Sequence, residues 1–96
     1  MEIKIIIPSP LRTFSNGERS VNFNLQESSS IADSINELEK QFPGIAAKII
    51  DEDNNLHNFV NIFMDGEDVR YLDGINTKLT HNCEISIVPA VAGGFK

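Results

Sequence analysis

Ser28-Ser29-Ser30-Ile31-Ala32-Asp33-Ser34-Ile35-Asn36-Glu37-Leu38-Glu39-Lys40-Gln41-Phe42-Pro43-Gly44 reads as one amphipathic helix with its own start and stop. Ile31, Ile35, Leu38 and Phe42 follow at spacings of four, three and four, which stacks them on a single stripe of a 3.6-residue helix. Asp33, Asn36, Glu37 and Lys40 fall away from that stripe. The three serines offer N-caps, Asp33 near the start and Lys40 near the end suit the helix dipole, and Pro43-Gly44 ends the run.

Outward from the helix, the pattern changes to period two. Upstream, Ile3, Ile5 and Ile7 share one strand face with Glu2 and Lys4 on the other, and Pro8 and Pro10 close the strand because proline lacks the ladder N–H. Ser15-Asn16-Gly17 is a turn signal. Val21, Phe23 and Leu25 then alternate with Asn22 and Asn24 as a second strand, completing an N-terminal hairpin with a long connection. Downstream, Ile45–Ile50 reads as a short helical turn and Asp51-Glu52-Asp53-Asn54-Asn55 as a polar loop. Asn58–Met64 is an apolar strand expected at a central position. After the Asp65-Gly66 turn come a short strand over Val69–Leu72, a loop through Asp73-Gly74, and a last strand, Glu84–Val88, limited by Pro89.

One helix across one face of a mixed sheet of four to five strands is the economical two-layer solution for this order. With the first and last strands parallel and central, it is the α+β β-grasp (ubiquitin-like) arrangement. Residues 1–89 form the expected domain and residues 90–96 a flexible tail.

Composition narrows the function classes. The 96 residues, 41% hydrophobic, support one compact domain with a modest core, which favours a carrier or binding module over an enzyme with a large enclosed site. The formal net charge of −6 repels nucleic acid, whose recognition needs clustered Lys and Arg, and repels anionic membrane surfaces. Acidity fits a protein partner with a basic face, and equally fits simple solubility. Cys83 is the single cysteine, so neither an intrachain disulfide nor a cysteine-based zinc site is expected. An apolar run of membrane-spanning length is absent, and Met1–Ile7, short and carrying Glu2, does not read as a secretory signal; the expected location is cytoplasmic.

The most informative chemistry lies in Val91-Ala92-Gly93-Gly94-Phe95-Lys96. Glycine has no Cβ, so Gly93-Gly94 can enter a narrow cleft in any backbone conformation, and the five or six residues from Ala90 reach roughly 15–20 Å when extended. Such an end suits threading into another enzyme's active site. Taken alone, the stretch is explained equally well as a plain flexible tail.

The remainder of the chain shifts that balance. Leu56-His57-Asn58-Phe59-Val60-Asn61-Ile62-Phe63, Asp65-Gly66-Glu67-Asp68-Val69-Arg70 and Ile87-Val88-Pro89-Ala90-Val91-Ala92-Gly93-Gly94 together resemble the ThiS/MoaD family of sulfur carriers, and within it the CysO-type carriers of cysteine biosynthesis. The similarity runs from Ile3 to Gly94. It implies that Gly94 is adenylated by a ubiquitin-activating-type adenylyltransferase using ATP and converted to a thiocarboxylate, with Gly93, Ala92 and Val91 threading the tail. It further implies a sulfur-accepting, cysteine synthase-like partner, and a carrier that is itself no enzyme and binds neither cofactor nor metal. The family's usual ending is the second glycine; here Phe95-Lys96 follow and leave Gly94 in a peptide bond. The resemblance therefore implies cutting between Gly94 and Phe95 by a JAMM-type metalloprotease, or an extension that disables the carrier role. A ubiquitin-like modifier joined through Gly94 to target lysines is the alternative, as are carriers for thiamin or molybdopterin synthesis.

Other residues have plainer readings. His57 and His81 lack metal-ligand spacing, and Cys83 reads as a small, partly buried hydrophobe rather than a sulfur relay. Asp65, Glu67 and Asp68 read as a solvated turn. Phe59, Ile62 and Phe63 span both faces of one strand, so one face is core and the other contributes to an apolar partner surface; Arg70 either orients a loop or joins that surface.

Overall fold

The computed structural model describes residues 1–58 and 60–89. The elements are β1 (Glu2–Ile6), β2 (Ser20–Asn24), α1 (Ile31–Gln41), β3 (Val60–Met64), β4 (Glu67–Asp68) and β5 (Glu84–Pro89), with short 3-10 turns at Ser9–Leu11, Ala46–Lys48, Val69–Tyr71 and Gly74–Asn76. The sheet order is β2-β1-β5-β3-β4. β1 and β5 run parallel, with Ile5 opposite Ile85, and the β1–β2, β3–β5 and β3–β4 pairs are antiparallel. This is the β-grasp arrangement expected from the order of the elements.

The helix begins where the sequence places it. Ser30 is the N-cap: its backbone N–H donates to Asp33 Oδ2 at 2.8 Å, and Asp33 N–H returns a bond to Ser30 Oγ at 3.4 Å. This reciprocal box satisfies two of the amides a helix start leaves open. Ile31, Ile35, Leu38 and Phe42 are buried and pack with Ile3, Ile5, Ile7, Ile62, Ile85 and Ile87 in one core. Gly44 carries φ +101°, a backbone conformation that favours glycine at the helix exit, while a Cβ built there would only make ordinary contact with the Phe14 ring at 3.5 Å. Glu39 Oε2 and Oε1 accept from the N–H groups of Gly44 and Ala46, each at 2.9 Å, which ties the exit turn back onto the helix.

β3 is interior, between β5 and the two-residue β4, in keeping with its apolar run, and β5 is the middle strand. One expectation is corrected. Val69–Leu72 is not a strand. The Asp68 carboxylate accepts from Arg70 N–H at 2.9 Å, and this local cap bends the chain into a 3-10 turn, leaving Val69 buried and Tyr71 86% exposed.

Candidate functional site

Residues 90–96, and with them Val91, Ala92, Gly93, Gly94 and Phe95, lie outside the described residues, as does Phe59. The structure does define the platform from which the tail departs. β5 is the middle strand, held by β1 on one side and β3 on the other, and its last residue, Pro89, pairs with Val60 at the start of β3. The start of β5 is fixed as well: Asp65 Oδ1 accepts from Glu84 N–H at 2.9 Å, and Asp65 N–H donates to Glu84 O at 2.8 Å. Asp65 is thus a sheet fastener rather than a purely solvated turn residue.

Arg70 secures the other side of the same platform. Its guanidinium donates to His57 O at 3.0 Å, to Val60 O at 2.7 Å and to Asn61 Oδ1. A planar fork with several fixed donors suits this cluster of acceptors. Of the two readings the sequence left open, the geometry matches the orienting one: Arg70 holds the Val60 end of β3, which in turn pairs with Pro89.

Side-chain alternation divides the sheet into two faces. Ile62 is fully buried, because its register partner Ile87 faces the helix; it has no place on a partner surface, and that expectation is corrected. Phe63 lies on the opposite face, half-buried. There Ile6, Ser86 and Phe63 form one row across β1, β5 and β3, with Val88 exposed beside them. Ile6 and Val88 were not singled out from the sequence, although each sits out of phase with its buried neighbours, Ile3/Ile5/Ile7 and Ile85/Ile87.

Next to Pro89 is an apolar pocket of about 210 Å³, formed by Pro8, Pro10, Leu11, Val60, Ile87 and Pro89. Lys48 completes the wall, and its Nζ lies 5.8 Å from the centre of the Phe14 ring.

The sequence profile of the ThiS family matches residues 5–94, taking in the diglycine and stopping before Phe95. The chain belongs to the ThiS family of ubiquitin-like sulfur carriers. It is similar to the sulfur carrier protein CysO of Mycobacterium tuberculosis, at 34% identity over 96 residues, covering 98% of this chain and 100% of that one. A crystal structure of the Amycolatopsis orientalis BexX/CysO complex contains a chain that superposes with a TM-score of 0.84 at 34% identity, covering 96% of this chain and 99% of that chain. Small archaeal modifier protein 3 of Haloferax volcanii is 32% identical over 78 residues, 81% of this chain and 84% of that protein.

The remaining candidates of this ThiS-family chain have structural assignments. Cys83 is fully rather than partly buried, and its burial pushes the thiol above its ordinary value. His57 Nε2 donates to Ala47 O at 3.1 Å, whereas His81 Nε2 lies 2.8 Å from Glu27 Oε2; the two histidines engage different parts of the chain. Among the described residues, no group of three or more His, Cys, Asp or Glu side chains is arranged to hold a metal ion, and no helix is long and apolar enough to cross a membrane.

Proposed function

We propose that this chain carries sulfur as a thiocarboxylate on Gly94 and delivers it in cysteine biosynthesis. The observation that carries the reading is the ThiS-family match running through Gly94, together with the relation to CysO over nearly the whole chain. A JAMM-type metalloprotease adds water across the Gly94–Phe95 peptide bond, leaving a carboxylate on Gly94 and an amine on Phe95. That carboxylate, with an ordinary pKa of about 3.5, is anionic at neutral pH and a poor electrophile. A ubiquitin-activating-type adenylyltransferase therefore joins it to AMP from ATP, releasing pyrophosphate. A sulfur donor then displaces AMP. The resulting sulfur is nucleophilic and attacks an activated serine derivative on a cysteine synthase-like partner, forming a carbon–sulfur bond as the activating group leaves with its electron pair; an acyl shift to the amine and hydrolysis of the new Gly94 amide then free cysteine and restore the Gly94 carboxylate.

The carrier supplies neither the adenylation nor the sulfur transfer. Its part is to present Gly93-Gly94 from a root fixed by Pro89 and Val60, slender enough to enter the partner's site. Incubation with such a protease, then with an activating enzyme, ATP and sulfide, should give a chain ending at Gly94 in which one oxygen is replaced by sulfur. Intact-mass spectrometry reads both events; an uncut chain, or a cut chain that never takes up sulfur, overturns the reading.

A second reading is favoured by the relation to small archaeal modifier protein 3: conjugation of the activated Gly94 to lysines of target proteins. It predicts ladders of higher-mass conjugates in place of the sulfur-bearing carrier.

A further inference from the structure

The two edges of the sheet are finished differently. At one, β4 is only two residues long, and next to it Arg70 Nη2 donates to Val60 O at 2.7 Å. A very short edge strand and a charged side chain on the bare backbone are ways of keeping an edge closed to further strands. At the other edge, β2 pairs with β1 in unbroken register from Ser20 to Asn24, with no bulge, proline or charged residue. Ile7 N–H donates to Arg19 O at 2.8 Å, and Leu25 N–H donates to Met1 O at 2.8 Å. The alternation of an antiparallel pair therefore turns the N–H and C=O of Val21 and Phe23 toward β1, and those of Ser20, Asn22 and Asn24 outward. Among the described residues, these outward groups have no hydrogen-bond partner.

The helix side of this edge has its own chemistry. Val21, Phe23 and Leu25 pack against the core there and stay half-buried. At the Asn24–Leu25 end, a groove of about 450 Å³ opens between β2 and α1, and Asp33, Glu37 and Lys40 stand on its helix wall. Lys40 Nζ lies 3.0 Å from Glu37 Oε2. Asp33 uses Oδ2 to accept from Ser30, and no cation among the described residues pairs with it.

We propose that the β2 edge takes up an extended segment of a protein partner as one more strand, antiparallel to β2. Its Lys or Arg lodges beside Asp33, and apolar side chains two and four residues later cover Phe23 and Val21, the spacing that one strand face imposes. In strand addition the main-chain ladder supplies affinity and alternate side chains supply selectivity. Charge argues against a second copy as the occupant, since two chains of formal net charge −6 repel each other. The surface does not depend on whether Gly94 carries sulfur.

The test titrates the full chain, labelled for amide nuclear magnetic resonance, with the peptide acetyl-Lys-Thr-Val-Thr-Val-Thr-amide, which places Lys and both Val on one strand face. The largest shifts should fall at Ser20, Asn22 and Asn24, and hydrogen exchange at those three amides should slow. The same peptide with every backbone N–H methylated should not bind. Replacing its Lys by Glu should weaken binding about threefold or more, the scale of an exposed ion pair. Asn22→Pro should abolish the response while Val21 and Phe23 stay protected, because proline is tolerated on an edge strand where its N–H would face solvent. If that variant unfolds, the methylated peptide makes the same comparison on the native chain. No response at β2, a response centred on Ile6, Phe63 and Val88, or equal binding of the methylated or Glu peptide overturns the proposal. So does exchange at the β2 amides that slows with chain concentration and needs no peptide, which would make a second copy the occupant. Binding at β2 by a chain that never takes up sulfur would leave this inference standing while removing the proposed function.

Discussion

Cys83 and Glu39 both carry pKa shifts, in opposite senses. Cys83 sits at the foot of β5, where its carbonyl accepts from Lys4 N–H at 3.1 Å, and the burial of its side chain favours the neutral thiol. Because the thiolate is the reactive form, native Cys83 should be alkylated on the order of a hundredfold or more slowly than in urea, since access waits on opening of the fold. Thiol-labelling kinetics at pH 8 check this. Under the proposed function Cys83→Ser should still form the thiocarboxylate, and its failure to do so where the parent succeeds would restore a relay role. Glu39 is held below the usual carboxylate range by the N–H groups of Gly44 and then Ala46. A carboxyl whose pKa is lower folded than unfolded stabilises the fold above its unfolded value, about 4.3, and loses that contribution as pH falls through the folded value. Glu39→Gln should therefore be less stable than the parent at pH 7, and the gap should shrink at pH 3. Urea denaturation at the two pH values reads the difference; a gap of the same size at both would assign the loss to packing rather than charge.

At the scale of elements, the central question is how firmly the root of the tail is held. Arg70 fixes the start of β3 through His57 O, Val60 O and Asn61, and β3 pairs with β5 up to Pro89. Hydrogen bonds involving a charged group contribute about 1.5–3 kcal/mol when well formed, discounted here because Arg70 is exposed. Arg70→Ala should cost about 1–2 kcal/mol in urea denaturation. It should also raise amide hydrogen exchange at Val60, Asn61 and Val88, with Arg70→Lys recovering little, since an ammonium cannot reproduce the fork. Unchanged exchange would leave Arg70 available for a partner. These elements also show where the sequence was legible. The helix was readable because its stripe and the Ser30–Asp33 box are local, β2 because it alternates, and β1 and β5 because they alternate over most of their length. Val69–Leu72 was misread because the β-branched and aromatic residues there suggest a strand, while one Asp68-to-backbone bond decides otherwise. Ile62 and Phe63 are similar side chains on adjacent residues, and only the register with β5 says which is core. Gly93-Gly94 was visible because it is contiguous. The pocket at Pro89 was not, because its walls come from residues near positions 8–11, 48, 60 and 87–89 that only the folded sheet brings together.

At the scale of the whole molecule, the net charge of −6 gives the carrier a long-range handle distinct from its tail. Acidic residues recur on the loop Asp51-Glu52-Asp53, at the Asp65 turn and on the edge strand β4, where Asp68 pairs with Phe63 at the end of the row through Ile6 and Ser86. Charge of one sign at a rim accelerates encounter with an oppositely charged partner more than it slows departure. Under the proposed function that order is useful: a basic activating partner would collect the domain first, and the diglycine would thread afterwards. Raising ionic strength from about 0.01 to 0.15 M shortens the screening length from about 30 to 8 Å. The association rate constant of the chain ending at Gly94 with the proposed activating partner should then fall roughly tenfold or more, with the dissociation rate nearly constant. Stopped-flow measurements across that range resolve the two rates. Neutralising Asp51, Glu52 and Asp53 together with Asn or Gln should flatten the dependence, because it removes half of the net charge without touching the sheet or its core. An association rate indifferent to salt would mean that docking is governed by the apolar row alone and that the acidity serves solubility.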